Sequence, residues 1–248
     1  MSTFLKQPEN NSLEKISGRV TNYKKRRDTA SFVFTESDQT AMGIVAVGAA
    51  LSGLSGVATT LSTHASSIEE EADYVEFDLD GRRVSGWLWR SPLNEGDSVD
   101  AAVERHGDHY ELFGIVKKEE RIIALYPHCS KGSSSHVKNA VKWMLIFEVI
   151  SFIALSLISI DFDTGELWLW SMLASNSTMR WIYAVFFLAI SLIAFWMILK
   201  WMPFVRLAEK VFRALELGQP AHIDLVKSSK KLAREEDAPE CGILYFRY

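Results

Sequence analysis

Two long apolar runs, residues 141–160 and 181–201, constrain the fold of this chain more than any other feature. Each run is about 20 residues long, and a helix of that length rises about 30 Å, the thickness of the hydrocarbon core of a bilayer. The first run contains two charged residues, Lys142 and Glu148, and the second contains one, Lys200. The runs predict two membrane-spanning helices that form a hairpin; the alternative is a pair of core helices in a soluble protein.

Composition and motifs argue against several classes of function. The net charge of −4 gives no overall basic field, so nucleic acid is not an expected partner. Cys129 and Cys241 lie far apart, and neither they nor the histidines have a metal-ligand spacing, so we expect no metal and no other cofactor. No phosphate-binding loop, dinucleotide fingerprint or nucleophile motif occurs, so we expect no catalytic residues and no enzymatic activity. The first 15 residues contain no apolar segment, which predicts the absence of a cleaved secretory signal.

The first half of the chain has the composition of short β-strands. Residues 18–23 and 29–35 flank the basic cluster Lys24, Lys25, Arg26 and Arg27, which we interpret as a hairpin turn. The cluster is either a solvated turn or a contact with anionic lipid headgroups.

Asp80-Gly81 gives the clearest hairpin signal, because these residue types tolerate the positive φ angles of a two-residue turn. The segments around it and after it follow at short, even spacing and predict a small antiparallel β-barrel of the OB or SH3 kind. The final residues, 242–248, are expected to pair as a strand on the barrel edge. The predicted strands are residues 74–79, 82–89, 99–104, 110–116 and 121–126.

An uncharged Gly/Ala-rich segment, residues 41–61, interrupts this β region. Gly48, Ser52 and Gly56 recur every fourth residue, a spacing that lets helices approach closely in lipid, so we predict a helical insertion that mediates assembly. A flexible hairpin and a core helix of a soluble domain remain alternatives. The predicted fold is therefore α+β, divided into an N-terminal segment with the first strands (1–40), the insertion (41–72), the rest of the barrel (73–130), the transmembrane hairpin (131–202) and an amphipathic helix with a C-terminal tail (203–248).

The flanks of the two runs predict where the membrane surface lies. Aromatic rings prefer the headgroup region, and basic residues concentrate on the cytoplasmic side, so both termini are expected to be cytoplasmic if the host cell inserts the protein. After Pro203, residues 204–217 predict a basic amphipathic helix on the membrane surface. The predicted interfacial residues are Trp168, Trp170, Trp181, Trp201, Arg206, Lys210 and Arg213.

Glu148 is the candidate functional residue, because a carboxylate inside a span costs roughly 2.5–3.5 kcal/mol and needs a partner or a wet surface. Ser151 and Ser159 lie on the same helical stripe. We predict that the three residues line a water-filled path in an oligomer. The alternative is an interfacial carboxylate that reaches toward headgroups or Lys142.

Four stretches carry a resemblance to a known family: GRVTNYKKRRDTASFVFTESDQTAMG, EEEADYVEFDLDGRRVSGWLWRSP, IALYPHCSKG and the terminal GILYFRY. In this order they resemble a family of bacterial type VI secretion system effectors. The resemblance implies an antibacterial protein that secretion machinery or a chaperone carries into a neighbouring cell, and that a cognate immunity protein counters in the producer. None of the four stretches contains a catalytic motif.

The sequence leaves two functions open. The first is a secreted effector that inserts into the inner membrane of a target cell, assembles as a homo-oligomer in the lipid bilayer and forms ion-permeable pores that depolarise it. The second is a resident multi-pass inner-membrane protein whose cytoplasmic barrel binds a partner, as a scaffold or immunity protein.

Overall fold

The computed structural model describes residues 13–30, 32, 70–160 and 168–248. The predicted insertion at residues 41–61, with Gly48, Ser52 and Gly56, lies outside this part of the chain, and so do residues 161–167. The strands are β1 (Glu14–Ala30), β2 (Glu70–Leu79), β3 (Arg82–Leu88), β4 (Ser98–His106), β5 (His109–Lys117), β6 (Ile122–Leu125) and β7 (Phe246–Arg247). The helices are α1 (Ser133–Ile158), α2 (Trp168–Ser175), α3 (Ser177–Ala214), a 3-10 turn (Pro220–His222) and α4 (Leu225–Leu232).

Five strands close into a barrel in the order β1-β2-β3-β5-β4 and back to β1. The closing pair, β3 with β5, is parallel, and the other neighbours are antiparallel. Gly86 allows this closure, because a Cβ atom there would lie 2.5 Å from the carbonyl oxygen of Leu112. The element order and the sheet topology confirm three predictions: the α+β class, a closed barrel and two long apolar helices.

The basic cluster is not a hairpin turn, and that prediction is wrong. It lies inside β1, whose first half pairs with β4 and whose second half pairs with β2. A register shift between Thr21 and Lys24 bends the strand, with Asn22 at a φ of 54°. The strand continues through the cluster because Arg27 binds acidic groups across the sheet, donating to Glu71 at 2.7 Å and to Asp73 at 3.0 Å.

The protein has two apolar cores on opposite faces of the same strands. The barrel interior contains the inward residues of all five barrel strands, among them Val20, Val75, Val84, Val103 and Leu112. The second core lies outside the barrel, between β5, β6 and the C-terminal half of α3, and α4 closes its far side. Its buried members include Phe113, Leu125, Tyr126, Val211, Phe212 and Leu225.

Helices α1 and α3 are both long and apolar enough to cross a membrane by length and composition. None of the residues in their most apolar windows is buried, and large side chains such as Ile193, 64% exposed, face outward. A soluble protein would have to cover this surface, because apolar patches of more than a few hundred Å² are rare on soluble monomers.

The segment after Pro203 is not a separate surface helix. Helix α3 continues through Pro203 to Ala214, and its apolar residues face the second core, with Phe204, Ala208 and Phe212 at most 2% exposed. The prediction placed this face on lipid, but the barrel covers it instead. Proline in a helix interior removes one backbone hydrogen bond and crowds the carbonyl four residues earlier, and the packing of the residues after Pro203 on the second core offsets this cost.

The C-terminal residues pair as predicted on the edge of the sheet. In β7, Phe246 aligns with Ile123 and Arg247 with Ile122 of β6. The Arg247 guanidinium donates to both carboxylate oxygens of Asp237 and, at 2.7 Å, to the carbonyl of Glu120. These hydrogen bonds lower the pKa of Asp237 to about 2.

Candidate functional site

The hairpin of α1 and α3 joins the barrel through the end of α3, which packs on the outer face of β5 and β6. Half-buried residues recur every three or four positions on both helices, at Glu148, Phe152 and Leu155 of α1 and at Phe187 and Ser191 of α3. This is the spacing of one helical face, so these two faces pack against each other. The remaining surface of the hairpin is apolar and exposed.

A polar contact lies within this apolar interface. The hydroxyl of Ser191 is 2.6 Å from a carboxylate oxygen of Glu148 and 3.0 Å from the carbonyl oxygen of Phe187. A hydroxyl has one proton, so it donates to one of these acceptors at a time. Donation to Glu148 gives this carboxylate a hydrogen-bond partner on the facing helix.

The two other predicted pore-lining residues differ in their surroundings. Ser151 lies on α1 next to the half-buried face that meets α3. Ser159 caps the C-terminal end of α1, is 2% exposed, and donates from its hydroxyl to the carbonyl of Ser156 at 2.7 Å. Ser156 donates in turn to Phe152 at 2.9 Å. Such bonds to carbonyls of the same helix let a serine sit in apolar surroundings without a partner on another helix.

At the end of the hairpin that is remote from the barrel, polar side chains form hydrogen bonds with backbone groups at the helix ends. Asn176 caps α3, because its side-chain oxygen accepts from the amides of Thr178 and Met179. Arg180 donates to the last carbonyls of α2, those of Leu173 at 2.9 Å and Ala174 at 3.1 Å. The sequence analysis missed both roles, although Asn before a helix is a known capping signal.

Two predicted interfacial tryptophans lie near this remote end. Trp170 is 48% exposed and contacts Phe152 edge to face at 5.5 Å, and Trp181 is 72% exposed. Trp168 is the first residue of α2. The exposed rings occupy the places that an interfacial anchor requires.

At the barrel end, Trp201 belongs to an aromatic junction. Its ring lies 4.9 Å from the ring of His128 and 5.8 Å from that of Phe204, and His128 also stacks on Trp89. The Nε2 atom of His128 lies 2.5 Å from a carboxylate oxygen of Glu70, the first residue of β2. Trp201 thus joins the hairpin to the barrel as well as ending the apolar run.

The predicted basic residues of α3 face away from the second core. Arg206 and Arg213 are exposed, and Lys210 is half-buried. They form a cationic side of α3 after the apolar run.

Close backbone approach fixes the hairpin onto the barrel. A Cβ atom at Gly114 of β5 would lie 2.6 Å from a methyl carbon of Val211, so α3 rests directly on the strand. A Cβ atom at Gly132, just before α1, would lie 2.1 Å from the carbonyl oxygen of Pro220, so the chain passes too closely there for any side chain. The buried thiol of Cys129 donates to the carbonyl of Phe204, and burial raises the pKa of that thiol, which keeps it protonated.

A search for metal-binding groups and comparisons with known proteins complete the description of the site. Among the residues that the structure describes, no group of three or more His, Cys, Asp or Glu side chains is placed to hold a metal ion. The Glu148–Ser191 contact is the candidate site because it places a carboxylate within an apolar helix contact. No protein-family model, no curated protein and no solved structure matches the chain.

Proposed function

We propose that this protein inserts the hairpin of α1 and α3 into a bacterial inner membrane and conducts ions there as a homo-oligomer. The observation that carries the proposal is the Glu148–Ser191 contact. An anchor needs only apolar surface, whereas a carboxylate within a span costs roughly 2.5–3.5 kcal/mol on insertion scales. A chain that retains such a group in the middle of its hairpin uses it for transport of charge rather than for attachment.

Assembly follows from the size of the hairpin. Two helices in contact enclose no water-filled path, so conduction requires several hairpins around a common axis. Glu148 is half-buried where α1 meets α3, so the proposed assembly places this contact toward the common axis. The small residues at 48, 52 and 56 supply the second surface for this assembly.

The resemblance to type VI secretion system effectors supports an antibacterial role. Under this proposal secretion machinery or a chaperone delivers the protein, the hairpin enters the inner membrane of the target cell, and a cognate immunity protein protects the producer. Crossing by the short remote end of the hairpin, capped by Asn176 and Arg180, moves far less polar surface through lipid than crossing by the barrel would.

Expression in a bacterium without an immunity protein tests the proposal. Membrane potential is recorded with a fluorescent dye while the wild-type chain, Glu148→Gln, Glu148→Leu and the control Ser156→Ala are produced. We expect collapse with wild type and with Ser156→Ala, whose hydroxyl binds only its own helix, and a lower cation current with both Glu148 variants. A full potential in cells with membrane-inserted wild-type protein would refute ion conduction.

The glutamine variant separates two roles of Glu148. Glutamine keeps the length of the side chain and accepts the hydroxyl of Ser191, but it carries no charge and binds no proton. If only Glu148→Leu lowers the current in planar bilayers, the residue serves helix packing and the charge is irrelevant.

A second function rests on the barrel. The β1-β2-β3 meander with β4 beside β1 has the 4-1-2-3 order of a Greek key, and we assign this five-strand barrel to the OB kind, which binds ligands on its β2-β3 face. A cleft of about 650 Å³ opens there, lined by residues that include Tyr23, Phe77 and Arg83. If the protein is instead a resident membrane protein that binds a partner in this cleft, its expression should leave the membrane potential intact. The variant Arg83→Glu should then no longer bind that partner.

A further inference from the structure

A small crevice lies where the hairpin joins the barrel, between the start of α1 and the middle of α3. Its volume is about 180 Å³, and its lining combines two tryptophans with basic and hydroxyl side chains. Ligand pockets for drug-sized molecules measure about 300–1,000 Å³, so this crevice fits a single headgroup rather than a cofactor. Its polar lining consists of His128, Ser130, Lys131 and His136, and its apolar lining of Trp89, Trp201 and Val205.

One polar atom in the lining makes no hydrogen bond of its own. The Nε2 atom of His136 is enclosed and has no hydrogen bond of good geometry among the described residues, while a backbone hydrogen bond joins the same imidazole to Ile198. Buried polar atoms are nearly always satisfied, and each that is not costs about 1–3 kcal/mol. An acceptor inside the crevice would satisfy this nitrogen.

A cation lies in the same lining. The ammonium of Lys131 is 4.0 Å from the Asp224 carboxylate, at the outer limit of an ion pair, and its side chain is 24% exposed. Asp224 accepts the amide of Lys227 at 3.0 Å, and Glu209 accepts the amide of Ser133 at 2.8 Å. The second oxygen of Asp224 meets Lys131 only at this limit, and an ammonium has three donors, so Lys131 can donate to a further anion.

The depth of the crevice in the protein indicates the source of the anion. Trp201 ends the second apolar run, so under the proposed insertion the crevice opens at the level of the headgroups. Basic pockets between membrane helices bind anionic lipid headgroups.

We propose that this crevice binds the phosphate group of an anionic membrane lipid through Lys131 and His136. The inference rests on membrane insertion, the first part of the proposed function, and it is independent of ion conduction. The phosphate accepts from the ammonium of Lys131 and from His136, and Trp89 and Trp201 contact the adjoining glycerol and acyl carbons.

The test uses the full chain in a zwitterionic detergent and follows the midpoint of thermal unfolding. Short-chain phosphatidylglycerol, short-chain phosphatidylcholine and inorganic phosphate are titrated separately. We expect a saturable rise with phosphatidylglycerol, because binding to the folded state alone stabilises it, and a smaller rise with the other two probes. If inorganic phosphate alone gives the full rise, the site stands and the lipid source is refuted.

The variants are Lys131→Gln, Lys131→Arg, His136→Gln and the control Lys138→Gln, which removes an exposed lysine of the same helix outside the crevice. Loss of one charge-assisted hydrogen bond should weaken binding about tenfold or more in Lys131→Gln. Lys131→Arg and the control should bind as wild type does. Equal affinity in Lys131→Gln, His136→Gln and wild type, or no saturable rise at all, would overturn the site and leave a crevice filled by water.

Two further measurements keep the outcomes separate. Native mass spectrometry counts phospholipids that co-purify with each variant, so a variant with altered melting is still scored for lipid retention. Currents in planar bilayers are recorded for Lys131→Gln. If Lys131→Gln loses lipid binding but keeps its current, the crevice and the pore are separate features. If wild type binds lipid but carries no current, conduction alone is refuted.

Discussion

Substitution of Gly114 tests whether α3 rests on the barrel as the structure places it. A Cβ atom at this position would lie 2.6 Å from a methyl carbon of Val211 and 2.8 Å from one of Leu125. Carbon atoms in contact are normally about 3.5–4.0 Å apart, so each neighbour would have to retreat by roughly 1 Å. Both neighbours are at most 1% exposed and have no free space to enter.

Overpacking of this kind costs about 1–3 kcal/mol. For a chain of this size, 1 kcal/mol corresponds to about 2–4 °C in the midpoint of thermal unfolding. We therefore expect Gly114→Ala to lower the midpoint by about 2–12 °C, measured by tryptophan fluorescence in one detergent. Gly218→Ala is the matched control, because a Cβ atom there meets nothing within 4 Å.

A double variant makes the test specific for contact with α3. Val211→Ala alone removes two buried carbons, worth about 1.6 kcal/mol at roughly 0.8 kcal/mol each. It also removes the nearer of the two atoms that Gly114→Ala meets, so the double variant should lose less than the sum of the two single losses. Additive losses, within about 0.5 kcal/mol, would mean that residues 114 and 211 do not share space, and the docking of α3 on β5 would be refuted.

Three other predictions concern the tail, the insertion and the topology. Arg247 lowers the pKa of Asp237 to about 2, so this carboxylate stabilises the fold above its unfolded pKa of about 4 and loses that contribution as the pH falls toward 2. Asp237→Asn should therefore remove this part of the pH dependence of the melting midpoint between pH 5 and 2. Melting midpoints of wild type and variant that change in parallel with pH would contradict this prediction. Gly48→Leu should block crosslinked oligomers and toxicity while Leu54→Ile does not, and full toxicity in both would reduce the insertion to a tether. A cysteine at Asn176 should react with an impermeant maleimide from the side opposite Cys241, and labelling of both from one side would exclude a spanning hairpin.

The sequence predicted those elements whose signal is local. Both apolar helices were found because a bilayer imposes a minimum length of apolar residues, which a run of about 20 satisfies on its own. The β2-β3 hairpin was found because Asp80 and Gly81 adopt positive φ angles, 49° and 81°, that few residue types tolerate. In both cases the cause lies within the segment itself.

The errors arose where distant residues decide the structure. The basic residues of β1 suggest a turn by composition, but the acidic groups that hold Arg27 in the strand lie more than 40 positions later. The apolar face at 204–212 fits lipid and barrel equally well, and only the second core determines which one covers it.

The partner of Glu148 was within reach of sequence reasoning but was missed. Glu148 lies 15 residues after the start of α1 at Ser133, and Ser191 lies 13 residues before Phe204, where α3 enters the second core. In an antiparallel hairpin these positions have the same depth. Comparing how far each polar residue lies from the barrel end of its helix, in addition to looking for charged residues in the apolar runs, would have paired Glu148 with Ser191.

Under the proposed insertion, a single helix, with Pro203 inside it, would be shared by the bilayer and the barrel. Helix α3 has 38 residues, about 57 Å at 1.5 Å per residue, and its last third is fixed to β5 and β6. A spanning helix changes its tilt when bilayer thickness changes. Because α3 is continuous from the apolar run into the second core, such a change in tilt under the proposed insertion would also turn the barrel, so local lipid composition would set the direction in which its cleft faces.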